Sequence, residues 1–271
     1  MKILCTGGAG FIGSFLVDEL VRRGHQVTIY DNIEPQVHPG GKVPDYLNKE
    51  AEFIREDVLN YDALADAVKD VDIVCHDAAM VGVGQSMYQI KRYMDANTLG
   101  TANLLDILVN RKNRVKKLIA ASSMSTYGEG AYRCPECGIV APPLRTDEQM
   151  ASGDFEIYCP KCGEVAEPIP TPETKLQEIN SYYALSKKDQ EDMVMLFGKT
   201  YGLPVVALRR FNVFGPRQSL SNPYTGVAAI FMSRLKNDKP PVVFEDGLQS
   251  RDFISVHDIV RANILAMESD K

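Results

Sequence analysis

Two side chains of the segment NSYYALSKKDQ have the types and the spacing needed to move a proton. Tyr183 and Lys187 lie four residues apart in a stretch with helical character, so both point to one side of the helix. A tyrosine, whose pKa is ordinarily about 10, is a weak base at neutral pH, but a nearby ammonium group favours its phenolate. The pattern therefore predicts that Tyr183 removes a proton from an alcohol, with an ordinary surface pair as the alternative.

A serine cluster at the end of a predicted strand favours the catalytic interpretation of that pair. The segment ASSMSTYG contains Ser123, whose hydroxyl would hydrogen-bond the same substrate oxygen and hold it for the transfer. We therefore predict that Ser123, Tyr183 and Lys187 act together.

Four of the six cysteines form two C-x2-C pairs, CPECG and CPKCG. In each pair the proline and the glycine shape a tight turn that directs two thiolates at one point, so the two turns together predict a tetrahedral metal site. The predicted ligands are Cys134, Cys137, Cys159 and Cys162. Zinc is expected, iron in a site with the same ligands is the alternative, and four thiolates leave no open position, so the predicted role is structural.

A glycine-rich turn follows the first predicted strand. In KILCTGGAGFIG the residues Gly7, Gly10 and Gly13, with Phe11 and Ile12 between them, open the first helix. Such a turn lets backbone N–H groups and the positive end of the helix dipole contact a pyrophosphate. The alternative is a glycine-rich turn without a ligand.

Acidic residues at the ends of the next strands strengthen the prediction of a dinucleotide site. Asp31, followed by Asn32, lies eighteen residues beyond Gly13, where a carboxylate accepts hydrogen bonds from the adenosine ribose and repels a 2′-phosphate. NAD is therefore expected rather than NADP. Asp57 and Val58 would lie beside the adenine, with a helix N-cap as the alternative for Asp57.

Short β-branched runs alternate with longer amphipathic stretches, which is typical of βαβ units. The pattern predicts strands near 2–6, 26–31, 51–55, 72–76, 116–122 and 204–209 and helices near 11–24, 61–69, 87–110 and 181–202. Farther on it predicts a helix near 224–236, strands in PVVFE and RDFISV, and a helix near 256–268. The expected fold class is α/β, a Rossmann-type, doubly wound parallel sheet.

One segment interrupts this alternation. Residues 129–179 are rich in proline, glycine, cysteine and glutamate and show no helical period, which indicates an inserted zinc ribbon. The expected domains are therefore an NAD-binding domain (1–128 and 180–211), the ribbon (129–179) and a small substrate-binding lobe (212–271).

The composition excludes several classes of function. The net charge of −6 gives no basic surface for nucleic acid or an anionic membrane. The N-terminus MKILCTGG lacks the apolar stretch of a secretory signal, and no uninterrupted apolar run reaches the length of a membrane span. We therefore expect a cytoplasmic protein with reduced thiols.

Several motifs in order along the chain carry a family resemblance. They are TGGAGFIG at 6–13, HDAA at 76–79, NTLGT at 97–101, ASSMSTYG at 121–128, YALSK at 183–187 and RRFNVFGPR at 209–217. This set resembles the extended short-chain dehydrogenase/reductases that act on nucleotide sugars. The resemblance covers nearly the whole chain outside the insertion and implies NAD as cofactor and a nucleotide sugar, dTDP- or UDP-linked, as substrate.

The resemblance also implies roles for particular residues. It places the family's catalytic serine, base and base-tuning lysine at Ser123, Tyr183 and Lys187. It implies cofactor contacts at Ala78, Ala79 and Asn97, and substrate contacts at Ser86, Ser123, Ser125, Asn212, Arg217 and Arg251. One departure is Asp77, where family members usually carry leucine or a similar apolar residue.

Within the family, the two residues after the catalytic serine indicate the type of reaction. Sugar dehydratases have an Asp-Glu pair there and decarboxylating members keep a glutamate, whereas this chain has Met124 and Ser125. This favours an epimerase, most simply at C4 through a transient 4-keto sugar. The alternatives are a reductase or dehydrogenase with net turnover of NAD(H), and a non-catalytic NAD-binding protein whose ribbon mediates contacts or senses redox state.

A narrower resemblance, carried by AMVGVGQSMY, EGAYRC and the segment from SNPYTG to SRDF, is to the ribbon-containing dTDP-L-rhamnose 4-epimerase group. The family implies a homodimer formed through the helices near 87–110 and 181–202. Since family members extend farther at the C-terminus, we expect the substrate lobe of this chain to be incomplete.

Overall fold

The computed structural model describes residues 1–220, 222, 224 and 226–269. The strands are β1 (Lys2–Thr6), β2 (Gln26–Tyr30), β3 (Glu52–Ile54), β4 (Ile73–His76), β5 (Lys117–Ser123), β6 (Ala131–Cys134), β7 (Gly138–Val140), β8 (Glu167–Ile169), β9 (Val205–Arg210), β10 (Asn212–Phe214) and β11 (Phe253–Ser255). Residues 221, 223, 225, 270 and 271 of the expected lobe, of which 225 belongs to the helix predicted near 224–236, lie outside this description.

The helices are α1 (Phe11–Arg22), α2 (Tyr61–Val68), α3 (Val83–Ser86), α4 (Ile90–Tyr93), α5 (Gly100–Asn110), α6 (Asp147–Ala151), α7 (Tyr182–Tyr201), α8 (Val227–Lys236) and α9 (Val256–Glu268). Short 3-10 turns cover Pro39–Gly41 and Met124–Tyr127, and a π-helical turn covers Met94–Leu99.

The central sheet confirms the predicted α/β class. Six strands form it in the order β3-β2-β1-β4-β5-β9, and every neighbouring pair is parallel. From β1 the chain adds β2 and β3 on one side and then returns to place β4 on the other side. In such sheets the reversal of direction opens a crevice at the carboxyl ends of the two central strands, where ligands bind.

Both faces of the sheet are covered, so its strands are apolar on both sides. On one face Ile3 and Cys5 pack in a core that includes Val260 and Ile264 of α9. On the other face Leu4 packs in a core with residues of α2, α5 and α7. Cys5 and Cys75, the two cysteines outside the CPxCG pairs, are buried members of the first core.

The helix predicted near 87–110 is present as helical backbone from Ile90 to Asn110, with a π turn inside it. It consists of α4, the π turn and α5, and α3 precedes it. The apolar pattern does not distinguish these, because one wide turn adds a single residue to the helical repeat. The π turn contains Asn97, whose side chain is fully buried.

The strand predicted in PVVFE is not formed among the described residues. This segment is a loop in which Val243 and Phe244 are exposed. A strand needs a neighbouring chain to satisfy its backbone, and no described strand lies alongside this one. The strand predicted in RDFISV is present as β11 and pairs with β10.

The insertion folds as a small antiparallel sheet in the order β7-β6-β8. Its side chains reach the C-terminal part of the chain through Arg145, whose guanidinium donates to both carboxylate oxygens of Glu245 at 2.8 and 3.1 Å. Among the described residues, no helix combines the length and apolarity needed to cross a bilayer.

Candidate functional site

A cleft of about 490 Å³ opens at the carboxyl ends of the central strands. Its lining includes most of the predicted cofactor residues, namely Gly7, Gly10, Phe11, Ile12, Gly13, Asp31, Asn32, Asp57, Val58, Ala78 and Ala79. It also includes Ser123, Ser125, Tyr183, Lys187 and Asn212. The fold therefore gathers in one cavity residues that the sequence separates by up to two hundred positions.

The turn between β1 and α1 is tight because its glycines leave no space for side chains. Gly7 has a φ of +70°, and a Cβ there would lie 2.7 Å from the Ala78 nitrogen. A Cβ on Gly13 would lie 2.3 Å from the Gly7 oxygen. Gly10, the N-cap of α1, offers no side chain to the helix N–H groups, so those groups remain available to an anion in the cleft.

The Asp31 carboxylate is fixed at the end of β2. It accepts hydrogen bonds from the backbone nitrogens of Ala9 at 3.0 Å and Ile33 at 2.9 Å. Burial raises the pKa of Asp31, against the lowering effect of these hydrogen bonds. The carboxylate is therefore held where a ribose hydroxyl can donate to it.

The Asp57 side chain does not cap a helix, so that alternative is wrong. Its Oδ1 accepts from the Leu59 nitrogen and its Oδ2 from the Asn32 amide. The N-cap of α2 is instead Asn60, which accepts from the Ala63 nitrogen.

The proposed base lies in the first turn of α7. This helix begins at Ser181, whose side chain accepts from the Ala184 nitrogen, and it ends at Gly202, which has a φ of +71°. Tyr183 and Lys187 are both buried on the side of α7 that meets β5. Ser123 is the last residue of β5, and its Oγ accepts from the nitrogen and the hydroxyl of Ser125.

The electrostatics of this group differ from the sequence-based expectation. Burial raises the pKa of Tyr183, while the Ser123 side chain and the charge of Arg210 lower it. Burial also lowers the pKa of Lys187 to about 7. Lys187 is thus only partly charged near neutral pH.

Asn97 lies behind the cleft lining and ties two elements together. Its side chain bonds the Met80 nitrogen at 2.7 Å, the Met80 oxygen at 3.1 Å and the Ser186 hydroxyl at 2.8 Å. It therefore connects the loop after β4 to α7. The structure assigns it no surface on the cleft, since it is completely buried.

Three predicted substrate residues are not in the cleft lining. Ser86 is fully buried and donates to the Val83 carbonyl. Arg217 pairs with Asp18 at 2.8 Å and lies over the Phe15 ring. Arg251 is exposed, with its guanidinium bonded to the Ser250 carbonyl.

A second buried network, which the sequence did not predict, lies beside Ser123. The Glu191 carboxylate accepts from Ser122 Oγ at 2.6 Å and from the Arg209 guanidinium at 2.6 Å. Although burial raises it, these hydrogen bonds hold the pKa of Glu191 below its usual range. Two consecutive arginines at the end of a predicted strand, Arg209 and Arg210, were the available signal, because strands of a parallel sheet that is covered on both faces are normally apolar.

The four cysteines of the CPxCG pairs come together in the insertion. Their sulfur atoms all lie within 4.8 Å of one another, and the Cys134 and Cys162 sulfurs are 3.5 Å apart. Backbone N–H groups of Cys137 and Lys161 donate to the first sulfur of each pair. Sulfurs 2.3 Å from a central ion would be about 3.8 Å apart in a tetrahedron, so the arrangement can hold one metal ion.

The end of the insertion is attached to the turn that follows Ser123. Glu178 donates its backbone N–H to the Thr126 carbonyl at 3.0 Å, and Lys175 Nζ donates to the Tyr127 carbonyl at 2.8 Å. A Cβ on Gly128 would lie 2.9 Å from the Glu178 oxygen. Within the described chain, residues 129–179 do not line the cleft.

The sequence profile described as the NAD dependent epimerase/dehydratase family matches residues 3–149 and 157–271. The chain belongs to this family. The expectation of an NAD-dependent enzyme of the nucleotide-sugar epimerase type is thereby confirmed. Among curated relatives, the dTDP-L-rhamnose 4-epimerase of Burkholderia thailandensis is 34% identical over 269 residues, which cover 98% of this chain and 72% of the relative.

Solved structures of family members have the same fold. The UDP-glucose 4-epimerase of Thermotoga maritima, crystallised with UDP-glucose, gives a TM-score of 0.78 at 32% identity. The superposition covers 99% of this chain and 74% of the T. maritima chain. A point mutant of the Bacillus cereus UDP-glucuronic acid 4-epimerase, in complex with a fluorinated UDP-sugar and NAD, gives 0.77 at 29% identity, with coverage of 100% and 74%.

Proposed function

We propose that the protein is an NAD-dependent epimerase that inverts C4 of a nucleotide-linked sugar. The observation that carries this proposal is the common cleft of the glycine turn, Ser123 and Tyr183. A dinucleotide laid across the turn at the end of β1 would extend toward the end of β5, where the proposed base and serine lie.

The residues that line the cleft fit NAD. The α1 N-terminus and the glycine turn suit its pyrophosphate, and the fixed Asp31 carboxylate suits an unphosphorylated ribose. When bound, NAD supplies a hydride acceptor that can return the hydride to the opposite face of the sugar carbon.

Tyr183 performs the proton chemistry in this proposal. Its phenolate takes the proton of the C4 hydroxyl and later returns it to the inverted oxygen, while Ser123 Oγ holds that oxygen by a hydrogen bond. Because burial raises the pKa of Tyr183, positive groups in the cleft must stabilise the phenolate. Lys187 is one such group, and it is charged more fully below a pH of about 7.

The cleft favours epimerisation over elimination of water. Ser123 is followed by Met124 and Ser125, both in the lining and neither acidic. The carboxylate of Asp77, which also lines the cleft, accepts a hydrogen bond from Arg210 on each of its two oxygens. We therefore propose that no acid protonates a leaving hydroxyl group next to Ser123.

The proposed substrate is dTDP-L-rhamnose, interconverted with dTDP-6-deoxy-L-talose, or a UDP-hexose. Support for the first comes from the relative of B. thailandensis and for the second from the T. maritima structure. Ser125 and Asn212 line the cleft and are proposed to contact the substrate. The roles of Ser86, Arg217 and Arg251 remain predictions.

We also propose that the four-cysteine cluster binds a structural zinc ion and that the insertion is a zinc ribbon. Four thiolates would close the coordination shell, so the metal would order the insertion and take no part in hydride chemistry. Iron would use the same ligands, and elemental analysis of the purified protein separates the two.

A homodimer is proposed through α5 and α7. Exposed apolar side chains lie on these two helices or directly before them, among them Leu99, Val109, Met195 and Leu196. Burial of such side chains against a second copy would remove them from water. A cytoplasmic location is proposed on the ground that a thiolate metal site needs reduced cysteines.

Conversion of a panel of dTDP- and UDP-sugars, followed by NMR of the C4 proton, tests the proposed function. Substitution of Tyr183 by phenylalanine is expected to lower the rate roughly a thousandfold while NAD binding persists. Tyr61→Phe is the matched control, because it removes an exposed hydroxyl bonded to Asp106 on the outside of the protein.

Absorbance at 340 nm separates epimerisation from its rival. An epimerase regenerates NAD in every cycle, so no sustained change is expected with substrate and free cofactor. A steady change would instead indicate a dehydrogenase or reductase. Full activity of the Tyr183→Phe protein would contradict the role of Tyr183.

A further inference from the structure

Asp77 and Arg210 form a buried ion pair in the lining of the cleft. The guanidinium donates two hydrogen bonds, Nη1 to Oδ2 at 3.0 Å and Nη2 to Oδ1 at 2.8 Å. The Arg210 side chain is only 8% exposed and the Asp77 side chain only 7%. Such a two-point contact fixes the orientation of the guanidinium plane as well as its position.

The ion pair spans the carboxyl end of β5. Asp77 directly follows β4, Arg210 is the last residue of β9, and both strands are neighbours of β5. In the sheet register Arg210 lies opposite Ser123. The Arg210 side chain therefore reaches Asp77 across the end of β5, where Ser123 is the last residue, and both Arg210 and Ser123 line the cleft.

A third residue completes the attachment of Arg210. Its Nη2 also donates to Asn263 Oδ1 at 3.2 Å, and the Asn263 amide donates to the Ile259 carbonyl at 2.8 Å. The Nε atom of Arg210 is buried and has no hydrogen-bond partner among the described residues. Since the desolvation of a buried ion pair often offsets its Coulomb attraction, stability alone does not explain this pair.

We propose that Asp77 and Arg210 are positioning residues for proton transfer, with Asp77 fixing the Arg210 guanidinium as a permanent positive charge that stabilises the Tyr183 phenolate. A guanidinium keeps its charge at every pH at which the protein is folded. In this arrangement Lys187 is a second cation whose charge varies with pH.

The electrostatics of the surrounding groups support this assignment. Arg210 acts on both neighbours, because its charge lowers the pKa of Tyr183 and adds to the effect of burial in lowering the pKa of Lys187 to about 7. Near neutral pH, Lys187 alone would therefore provide only part of a positive charge. The permanent charge of Arg210 compensates for this loss.

The polar and charged groups that act on Tyr183 and Lys187 come from four neighbouring elements. They are Ser123 of β5, Arg210 of β9, Asp77 and His76 at the end of β4, and Tyr93 of α4, whose ring meets that of Tyr183 edge to face at 6.2 Å. Among these, Arg210 alone carries a permanent positive charge.

The test measures the titration of Tyr183 directly. Protein labelled with 13C at the ζ carbon of its 12 tyrosines is loaded with NAD and titrated by NMR, with the Tyr183 signal assigned from the Tyr183→Phe protein. In Asp77→Leu/Arg210→Met, which removes both charges and keeps apolar bulk, the pKa of Tyr183 is expected to rise by about one unit or more.

A matched control removes the same charges elsewhere. Asp62→Leu/Arg111→Met deletes an exposed ion pair of 3.0 Å on the outer surface, and the pKa of Tyr183 is expected to stay at the value of the unmodified protein. Equal values in the two double variants would overturn the proposal. Thermal unfolding curves verify that both proteins are folded.

A second comparison covers the case in which the double variant does not fold. Arg210→Lys keeps a positive charge and Arg210→Gln removes it, and both lose the two-point contact with Asp77. The pKa of Tyr183 is expected to be higher in the Arg210→Gln protein than in the Arg210→Lys protein. The pKa of Lys187, measured without NAD, is expected to be higher in the Arg210→Gln protein as well. Identical titrations in the two proteins would show that the charge has no effect.

This inference rests on the proposed function in one respect: the Tyr183 phenolate acts as a catalytic base only if the protein converts a sugar. The titrations report on Tyr183 and Lys187 whether or not a sugar is converted. If the unmodified protein converts no sugar while replacement of Arg210 still raises the pKa of Tyr183, the proposed function is contradicted and the positioning role is retained.

Discussion

The Lys187 amine donates a hydrogen bond to the Ala121 carbonyl at 3.0 Å, in the interior of the protein between α7 and β5. The same amine is almost completely buried, and burial lowers its pKa to about 7. A group whose pKa in the folded protein lies below its unfolded value binds fewer protons when folded. The free energy of unfolding therefore increases with pH between about 7 and the unfolded value of about 10.4.

Replacement of Lys187 by methionine is expected to stabilise the folded protein at pH 7. The thioether needs no protonation, so the free energy of unfolding should rise by on the order of 2 kcal/mol at pH 7, and the gain should shrink as the pH approaches 10. Urea unfolding at several pH values measures this. Lys188→Met, which removes a more exposed amine paired with Asp192, is the control and should show no such pH dependence.

Removal of the Ser123 hydroxyl is expected to slow sugar conversion roughly a hundredfold, because the substrate oxygen loses a donor at the position where charge develops. The Ser125 hydroxyl donates to Ser123 Oγ at 3.0 Å, so Ser125→Ala should have a smaller effect. Initial rates at saturating substrate measure both. A larger loss in the Ser125 variant would reverse the assigned roles.

Asp31 is expected to determine the choice between NAD and NADP. Substitution by serine keeps an acceptor but removes the charge, so the Kd for NAD should rise roughly tenfold and the preference for NAD over NADP should narrow. Calorimetric titration with both dinucleotides measures the ratio. Asp66→Ser, at an exposed position of α2, should leave both affinities unchanged.

Removal of metal from the cysteine cluster is expected to unfold the ribbon and spare the central sheet. The insertion has a small apolar core, formed by Val140 and Ala166 together with the cysteines themselves. A structural zinc ion supplies roughly 10–16 kcal/mol of apparent binding free energy to such a unit. In Cys137→Ser, limited proteolysis should therefore cut within residues 131–169.

The matched control for the metal site is Glu136→Gln, an exposed residue between two of the ligands. It should keep one metal ion per chain and resist the protease. Binding of NAD should be retained in both proteins, since residues 129–179 contribute no described lining to the cleft. Equal proteolysis of the two variants would contradict a structural role of the metal.

The six parallel strands were predictable from the sequence, because short β-branched runs alternate with longer amphipathic stretches that form helices. The π turn inside the helix of residues 90–110 was not predictable, since its apolar pattern equals that of an α-helix. The loop at PVVFE was not either, because a strand depends on a partner that local sequence does not specify.

The candidate site likewise contains residues that the sequence predicted and a contact that it did not. Gly7, Asp31 and Tyr183 lie in motifs with fixed spacing, and the structure brings them to one cleft. The contact between Asp77 and Arg210 joins residues 133 positions apart and depends on β4 and β9 flanking β5. Only the order of strands in the sheet reveals it.

The two ends of the insertion lie side by side, where Gly128 and Glu178 are in contact and Glu178 is hydrogen-bonded to Thr126. A chain that leaves and re-enters a scaffold at neighbouring points places little demand on what lies between them. The insertion is therefore a replaceable module: a short linker, or another compact domain, is expected to take its place without displacing the strand that ends at Ser123.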